Sequence, residues 1–122
     1  MDGHLLLPPI PAAVRDARHY TNAWFDERRL PNVGDAEVVV SELVTNALRH
    51  AATSAELLLR QGDGRIRIEV RDADEAAPAP RDAGAEAADG RGLRLVAALT
   101  DRWGWTVTHT GKIVWCEIDL TG

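Results

Sequence analysis

Between Val38 and Ala51 the chain alternates apolar and polar residues with a helical period. Val40, Leu43, Val44, Ala47, Leu48 and Ala51 fall at i, i+3, i+4, i+7, i+8 and i+11, the spacing of a stripe that faces a core. Glu42, Asn46 and His50 fall at i, i+4 and i+8. They form a second row along the same helix, drifting by roughly 40° per step. A carboxylate, a carboxamide and an imidazole in one row fit two readings: a solvated face, or a base and a metal ligand aimed into a pocket.

The same patterning orders the rest of the chain. Residues Met1 to Pro9 read as an irregular arm, with a short strand at Leu5–Leu7 as the alternative. Pro11 suits the first position of a helix. Val14, Ala17, Thr21, Trp24 and Phe25 carry that helix to about Leu30, where Pro31 to Gly34 break it. Asp35 is placed as the N-cap of the second helix. Ile66, Ile68 and Val70 alternate with Arg65, Arg67, Glu69 and Arg71. With Ala55 to Arg60 this predicts a hairpin around Gln61–Gly64, buried on one face. Asp72 to Gly90 is rich in Ala, Asp and Pro without a period, and reads as a long loop of the kind used as a lid. Leu93, Val96, Ala97 and Thr100 mark a third helix. Trp103 to Leu120 reads as a second hairpin around Thr110-Gly111, with its tryptophans in the core. In its second strand Val114, Cys116 and Ile118 point one way, and Ile113, Trp115 and Glu117 the other.

Hairpins with helices gathered on one face predict an α+β fold, a two-layer α/β sandwich with a mostly antiparallel sheet. The reading divides the chain into an arm, residues 1–10, and one domain, residues 11–122. Nineteen Asp and Glu against fourteen Lys and Arg give a net charge of −5, which argues against direct nucleic-acid binding. No apolar run approaches the roughly 18 residues a membrane span needs, and the Leu5–Leu7 run is too short for a secretory leader. A cytoplasmic protein is expected. One cysteine, Cys116, excludes an internal disulfide and reads as a small buried hydrophobe.

Individually the chemical signals are modest. Gly90-Arg91-Gly92 before a helix can turn backbone N–H groups toward a phosphate, but it also reads as an ordinary loop end. Asp72 ends a strand, where a carboxylate accepts a hydrogen bond from an exocyclic amine or simply shapes a turn. Asn46 offers a carbonyl oxygen to Mg2+. Glu42, one turn earlier, is placed to act as a general base toward a water or a hydroxyl. For both, the competing reading is an exposed helix face. His50 reads as a ligand or as a partly buried structural histidine. The four histidines have no metal-ligand spacing, and no Walker loop, Gly-x-Ser-x-Gly or His-Glu-x-x-His occurs.

Together the pieces resemble a known family. Ser41-Glu-Leu-Val-Thr-Asn46-Ala-Leu-Arg-His50-Ala51 is similar to the N box of the histidine-kinase-like (GHKL) ATPase superfamily. The likeness is strongest to the anti-sigma-factor serine/threonine kinases of actinobacterial type. The order of elements agrees: N box, hairpin ending in Val70-Arg71-Asp72, variable lid, Gly90-Arg-Gly92-Leu93, and a hairpin with Trp103-Gly104 and Gly111-Lys-Ile-Val-Trp115. The resemblance implies the Bergerat ATP-binding fold, with ATP and Mg2+ as cofactors. It implies that Asn46 coordinates Mg2+ and that Glu42 is the catalytic base. Asp72 would bind the adenine amine, and Gly90 and Gly92 the phosphates with Arg91 beside them. The ATP-binding set is then Asn46, His50, Asp72, Gly90, Arg91, Gly92 and Leu93. One departure stands out: the family's Asp-x-Gly-x-Gly is Asp72-Ala-Asp-Glu-Ala76 here, which places side chains where glycines let the backbone pass close to the nucleotide.

The resemblance implies a regulatory serine/threonine kinase that works in partner switching, phosphorylating an antagonist protein and/or binding a sigma factor. A homodimer is a further implied association. The degenerate segment after Asp72 supports an alternative: a module of the same fold that sequesters a regulatory partner with little or no catalysis. A third reading is a nucleotide-binding domain that serves a larger enzyme in trans.

Overall fold

The computed structural model describes residues 2–50, 54–73 and 93–120, apart from the His50 side chain. Strand β1 spans Gly3–Leu7, helix α1 Ala12–Glu27 and helix α2 Val33–His50. Strands β2 and β3 span Ala55–Gly62 and Arg65–Asp72; β4 and β5 span Arg102–Thr108 and Gly111–Asp119. Residues 93–99 are also helical (α3). The strands form one sheet in the order β1-β2-β3-β5-β4, and every neighbouring pair is antiparallel. The α+β sandwich expected from the patterning is therefore the one formed.

Register explains the core. Leu57 faces Val70 and Leu59 faces Ile68 across β2–β3, while Ile66, Ile68 and Val70 face Ile118, Cys116 and Val114 across β3–β5. All of these lie on one side of the sheet because side chains alternate. Ala13, Ala17, Trp24 and Phe25 of α1, Val40, Leu43, Val44 and Ala47 of α2, and Val96 of α3 complete a single buried cluster on that side. Cys116 is fully buried within it, and burial pushes its thiol up to about 12.

Several local expectations change. Leu5 and Leu7 face inward and Leu6 outward, so the residues read as an arm make strand β1, paired with β2. Gly3 lies flat on the α1 aromatics: a Cβ there would stand 2.8 Å from Trp24 Cδ1 and 2.9 Å from Tyr20 Oη. The His4 backbone N–H donates to Tyr20 Oη at 2.7 Å. Helix α1 ends with Arg29 at φ 53° and the Leu30 N–H donating to the Phe25 carbonyl, a Schellman closure built without glycine. Helix α2 begins at Val33, so Asp35 lies in its first turn instead of capping it. There the carboxylate still complements the positive end of the helix. The first hairpin turn tightens to Asp63-Gly64, both at positive φ, the two-residue turn that matches strand twist. The second turn is His109-Thr110, because Gly111 pairs with Thr108 and opens β5. Ala97 is exposed rather than inward.

Of the hairpin tryptophans expected in the core, only Trp103 packs against it. Trp103 is half-buried and Trp105 is 43% exposed. Trp115 lies on the open face of the sheet, across the bare backbone of Gly104 and under the Arg67 guanidinium, 4.5 Å from its ring centroid. That face carries an interlaced ion-pair network. Glu69 accepts from Arg67 at 2.7 Å and Arg71 at 3.1 Å; Glu117 accepts from Arg102 and Arg67, each at 2.9 Å. Burial alone would raise Glu69, but the two arginine bonds outweigh it and hold its carboxyl below the ordinary 4.5. The Arg102 bond does the same for Glu117 against its partial burial, with help from Arg67.

A carboxyl depressed on folding adds stability above its unfolded value and loses it as pH falls through the folded value. Glu117→Gln is expected to cost ~1–2 kcal/mol of unfolding free energy at neutral pH. The gap to the unaltered protein should close between about pH 5 and pH 3 in urea titrations, as the native carboxyls protonate. A gap that persists at the acid end would assign the loss to packing. The Cys116 thiol should stay silent to aqueous thiol reagents near pH 8 and react only when the chain is unfolded; fast labelling of the native protein would contradict its burial.

Candidate nucleotide-binding site

Helix α2 packs over β2 and β3, and its apolar stripe fixes how its polar row is turned. Asn46 sits at the margin of that stripe, between Leu43 and Ala47, and is only 7% exposed. Neither Oδ1 nor Nδ2 has a hydrogen-bond partner among the described residues. Leaving a buried polar group unmet is costly, on the order of 1–3 kcal/mol. Such groups in native structures call for an occupant, whether water, ion or ligand. The Asn46 carbonyl oxygen is a hard donor of the kind Mg2+ accepts. One protein oxygen suits an ion that takes its remaining positions from phosphate oxygens and water. Among the described residues no group of three or more His, Cys, Asp or Glu is arranged to hold a metal.

Glu42, one turn earlier, is half-buried. It also borders a groove of about 520 Å3 on the helical side of the molecule, with Arg18, His19, Gly34, Glu37, Val38 and Ser41. Its side chain therefore borders the α1–α2 side of the helix layer. His50 is the last residue of α2. The expectations for its side chain and for Gly90, Arg91 and Gly92 fall outside the described residues, as do those for Asp74 and Ala76. Leu93 is buried at the start of α3, yet stands apart from the continuous core cluster.

The sheet supplies the other wall. Asp72, the last residue of β3, follows Ile66, Ile68 and Val70 on the helix-facing side, and its side chain is fully buried. Chain connectivity puts it at the same end of the sandwich as Asn46. Only four residues separate His50 from Ala55, a reach of at most roughly 18 Å. Ala55 opens β2 beside the end of β3, where Glu56 pairs with Arg71.

Two neighbours of Asp72 were not singled out by sequence reasoning. Lys112 is its direct partner in the β3–β5 register. The lysine is 1% exposed, with Nζ 3.8 Å from Asp72 Oδ2 and no hydrogen-bond partner among the described residues. The signal was present: the alternation that turns Val114, Cys116 and Ile118 inward reaches Lys112 one step earlier. Gly111 is the second. A Cβ there would lie 1.8 Å from the Asp72 carbonyl oxygen and 2.7 Å from Ala73 Cα. The backbone of β5 can meet Asp72 only because residue 111 has no side chain.

Comparison with known proteins gives the family and the fold. A family model for the histidine kinase-like ATPase domain matches residues 7–118, and the chain belongs to that family. No curated protein sequence matches. Among solved structures, the chain is similar to the RsbU and RsbW domains of a Mycobacterium tuberculosis protein, at 20% identity and a TM-score of 0.78. That likeness covers 98% of this chain and 32% of the other, so this chain spans about a third of that protein's length. It is also similar to the Acinetobacter baumannii histidine kinase AdeS, at 13% identity and a TM-score of 0.61, covering 98% and 68%. The histidine kinase domain of the Erythrobacter litoralis blue-light activated kinase follows at 24% identity and 0.54, covering 93% and 61%. At these identities the likeness is one of fold. No helix among the described residues is long and apolar enough to cross a membrane.

Gly111→Ala is expected to push β5 away from Asp72 and to cost at least ~1–3 kcal/mol in chemical denaturation, as overpacking does. Gly64→Ala, at a turn with open space around it, should cost less than that. Equal losses would show that the close approach at Gly111 is unimportant.

Proposed function

We propose that this chain binds Mg2+–ATP between α2 and the end of β3, and acts as a cytoplasmic regulatory serine/threonine protein kinase of the anti-sigma-factor type. The observation that carries the reading is Asn46: buried, without a hydrogen-bond partner at either amide atom among the described residues, and one helical turn from a half-buried carboxylate. ATP supplies the phosphoryl group and Mg2+ neutralises its charge. The chain's own residues bind, orient and move a proton. Asn46 Oδ1 presents the metal-binding oxygen. Asp72, held by the strand pairing at a buried position, accepts from the exocyclic amine of the base. Glu42 accepts the proton of a serine or threonine hydroxyl on an antagonist protein. Its place at the edge of the outer groove suits a hydroxyl that arrives from a protein docked outside. A sigma factor is the second partner class that the anti-sigma resemblance supports.

Asp74 and Ala76, where the family's motif has glycines, favour one competing reading: a module that binds a regulatory protein with weak or no phosphotransfer. Calorimetry and phosphotransfer assays separate the two. Asn46→Ala is expected to lower Mg2+-dependent ATP affinity at least ~10-fold, a loss of about 1.4 kcal/mol. Glu42→Ala should leave ATP affinity within a factor of about two, while labelling of an antagonist protein falls by roughly 10²–10⁴. Labelling unaffected by Glu42→Ala would sink its role as base. No heat at millimolar ATP and Mg2+ would leave only the binding module.

A further inference from the structure

The nucleotide reading gives Lys112 no task, yet few of the described groups are placed at greater cost. An ammonium at 1% exposure has left water. Its compensation is one carboxylate at 3.8 Å, beyond hydrogen-bond reach, so all three of its donors remain open toward the described residues. Coulomb attraction at that separation offsets part of the desolvation but leaves the directional bonding unused. Purely structural pairing would favour direct contact between the two groups. A pair held apart at one end of a binding seam is instead set to share a third molecule.

The chemistry of the pair says what that molecule presents. A carboxylate accepts and an ammonium only donates. Side by side they complement a base edge that offers an N–H donor next to a lone pair. Adenine carries this pattern in its exocyclic N6 amine and the adjoining ring nitrogen N1. We propose that Lys112 is a specificity-determining residue of the nucleotide site, donating a hydrogen bond to adenine N1 while Asp72 accepts from N6. This rests on the proposed ATP site and adds a second, charged reader to it. Gly111 is what makes the arrangement possible, since it lets β5 place Lys112 directly opposite Asp72.

The inference is tested by binding, with no turnover needed. The probes are ATP, 1-deaza-ATP, in which N1 is replaced by C–H, and 7-deaza-ATP, which is altered at the ring nitrogen remote from this edge. For the unaltered protein, calorimetry with Mg2+ should show 1-deaza-ATP binding ~10–100-fold more weakly than ATP, the range for losing a charge-assisted hydrogen bond. Affinity for 7-deaza-ATP should stay within a few-fold of ATP. Lys112→Met should weaken ATP to about the level of 1-deaza-ATP and erase the difference between them. If Lys112 only positions Asp72, the substitution lowers both affinities equally and the discrimination survives, which overturns the proposal. Removing the ammonium takes the nearby cation from the buried Asp72 carboxylate and can destabilise the variant. The comparison of analogues on the unaltered chain decides the question without it: equal affinity for ATP and 1-deaza-ATP refutes a contact at N1. Absence of binding by every analogue refutes the nucleotide site itself, a separate outcome.

Discussion

A helix that buries one stripe against a sheet also decides which of its polar residues are carried to the seam. In α2 the stripe of Val40, Leu43, Val44 and Ala47 is fully committed to the core, and Asn46 sits beside it with nowhere else to turn. Rotating the helix to expose the amide would lift several apolar side chains into water. Each is worth roughly 1.5–3 kcal/mol of burial, more than one unmet carboxamide costs. The hydrophobic effect therefore holds a polar group in a place that polar chemistry alone would avoid. The site depends on that imbalance.

The sheet uses the same logic from its side. Strand alternation sends Ile66, Ile68 and Val70 inward, and Asp72 follows in the same row. From β5, Val114, Cys116 and Ile118 go inward and Lys112 with them. Both charged residues stand at the ends of strands, where the inward row runs past the apolar core. The opposite face shows how this chain treats charges that serve stability. There Glu69 and Glu117 are each bonded directly by two or more arginines at ordinary distances. Charges bonded directly on the open face, and a buried ammonium at the seam with no hydrogen-bond partner among the described residues, are what a fold carrying a ligand site between its layers should show.

Edge strand β1 closes the far side of the sheet, and its role was only half visible beforehand. Its five residues have little strand propensity of their own beyond three leucines. What makes them a strand is Gly3 against the Trp24 ring and Leu5 and Leu7 against the core, contacts with a helix that begins five residues after the strand ends. Trp115 shows the reverse. Its composition suggested a core residue, while its register places it on the open face, sheltered by Gly104 and Arg67.

Local patterning by itself determined the two long helices, both hairpins, the inward rows of β3 and β5, and the pairing of Glu42 with Asn46 on one helix, because each follows from periods of 3.6 or 2 within a single element. It also carried the motif order by which the family was recognised. The tertiary structure alone decided that Asn46 is buried without a hydrogen-bond partner among the described residues, that Lys112 faces Asp72, that Gly111 admits no side chain, and that Trp105 and Trp115 lie outside the core. Those facts depend on how one element is set against another. A period within a strand states which side chains share a face, but only the register between strands states which of them meet.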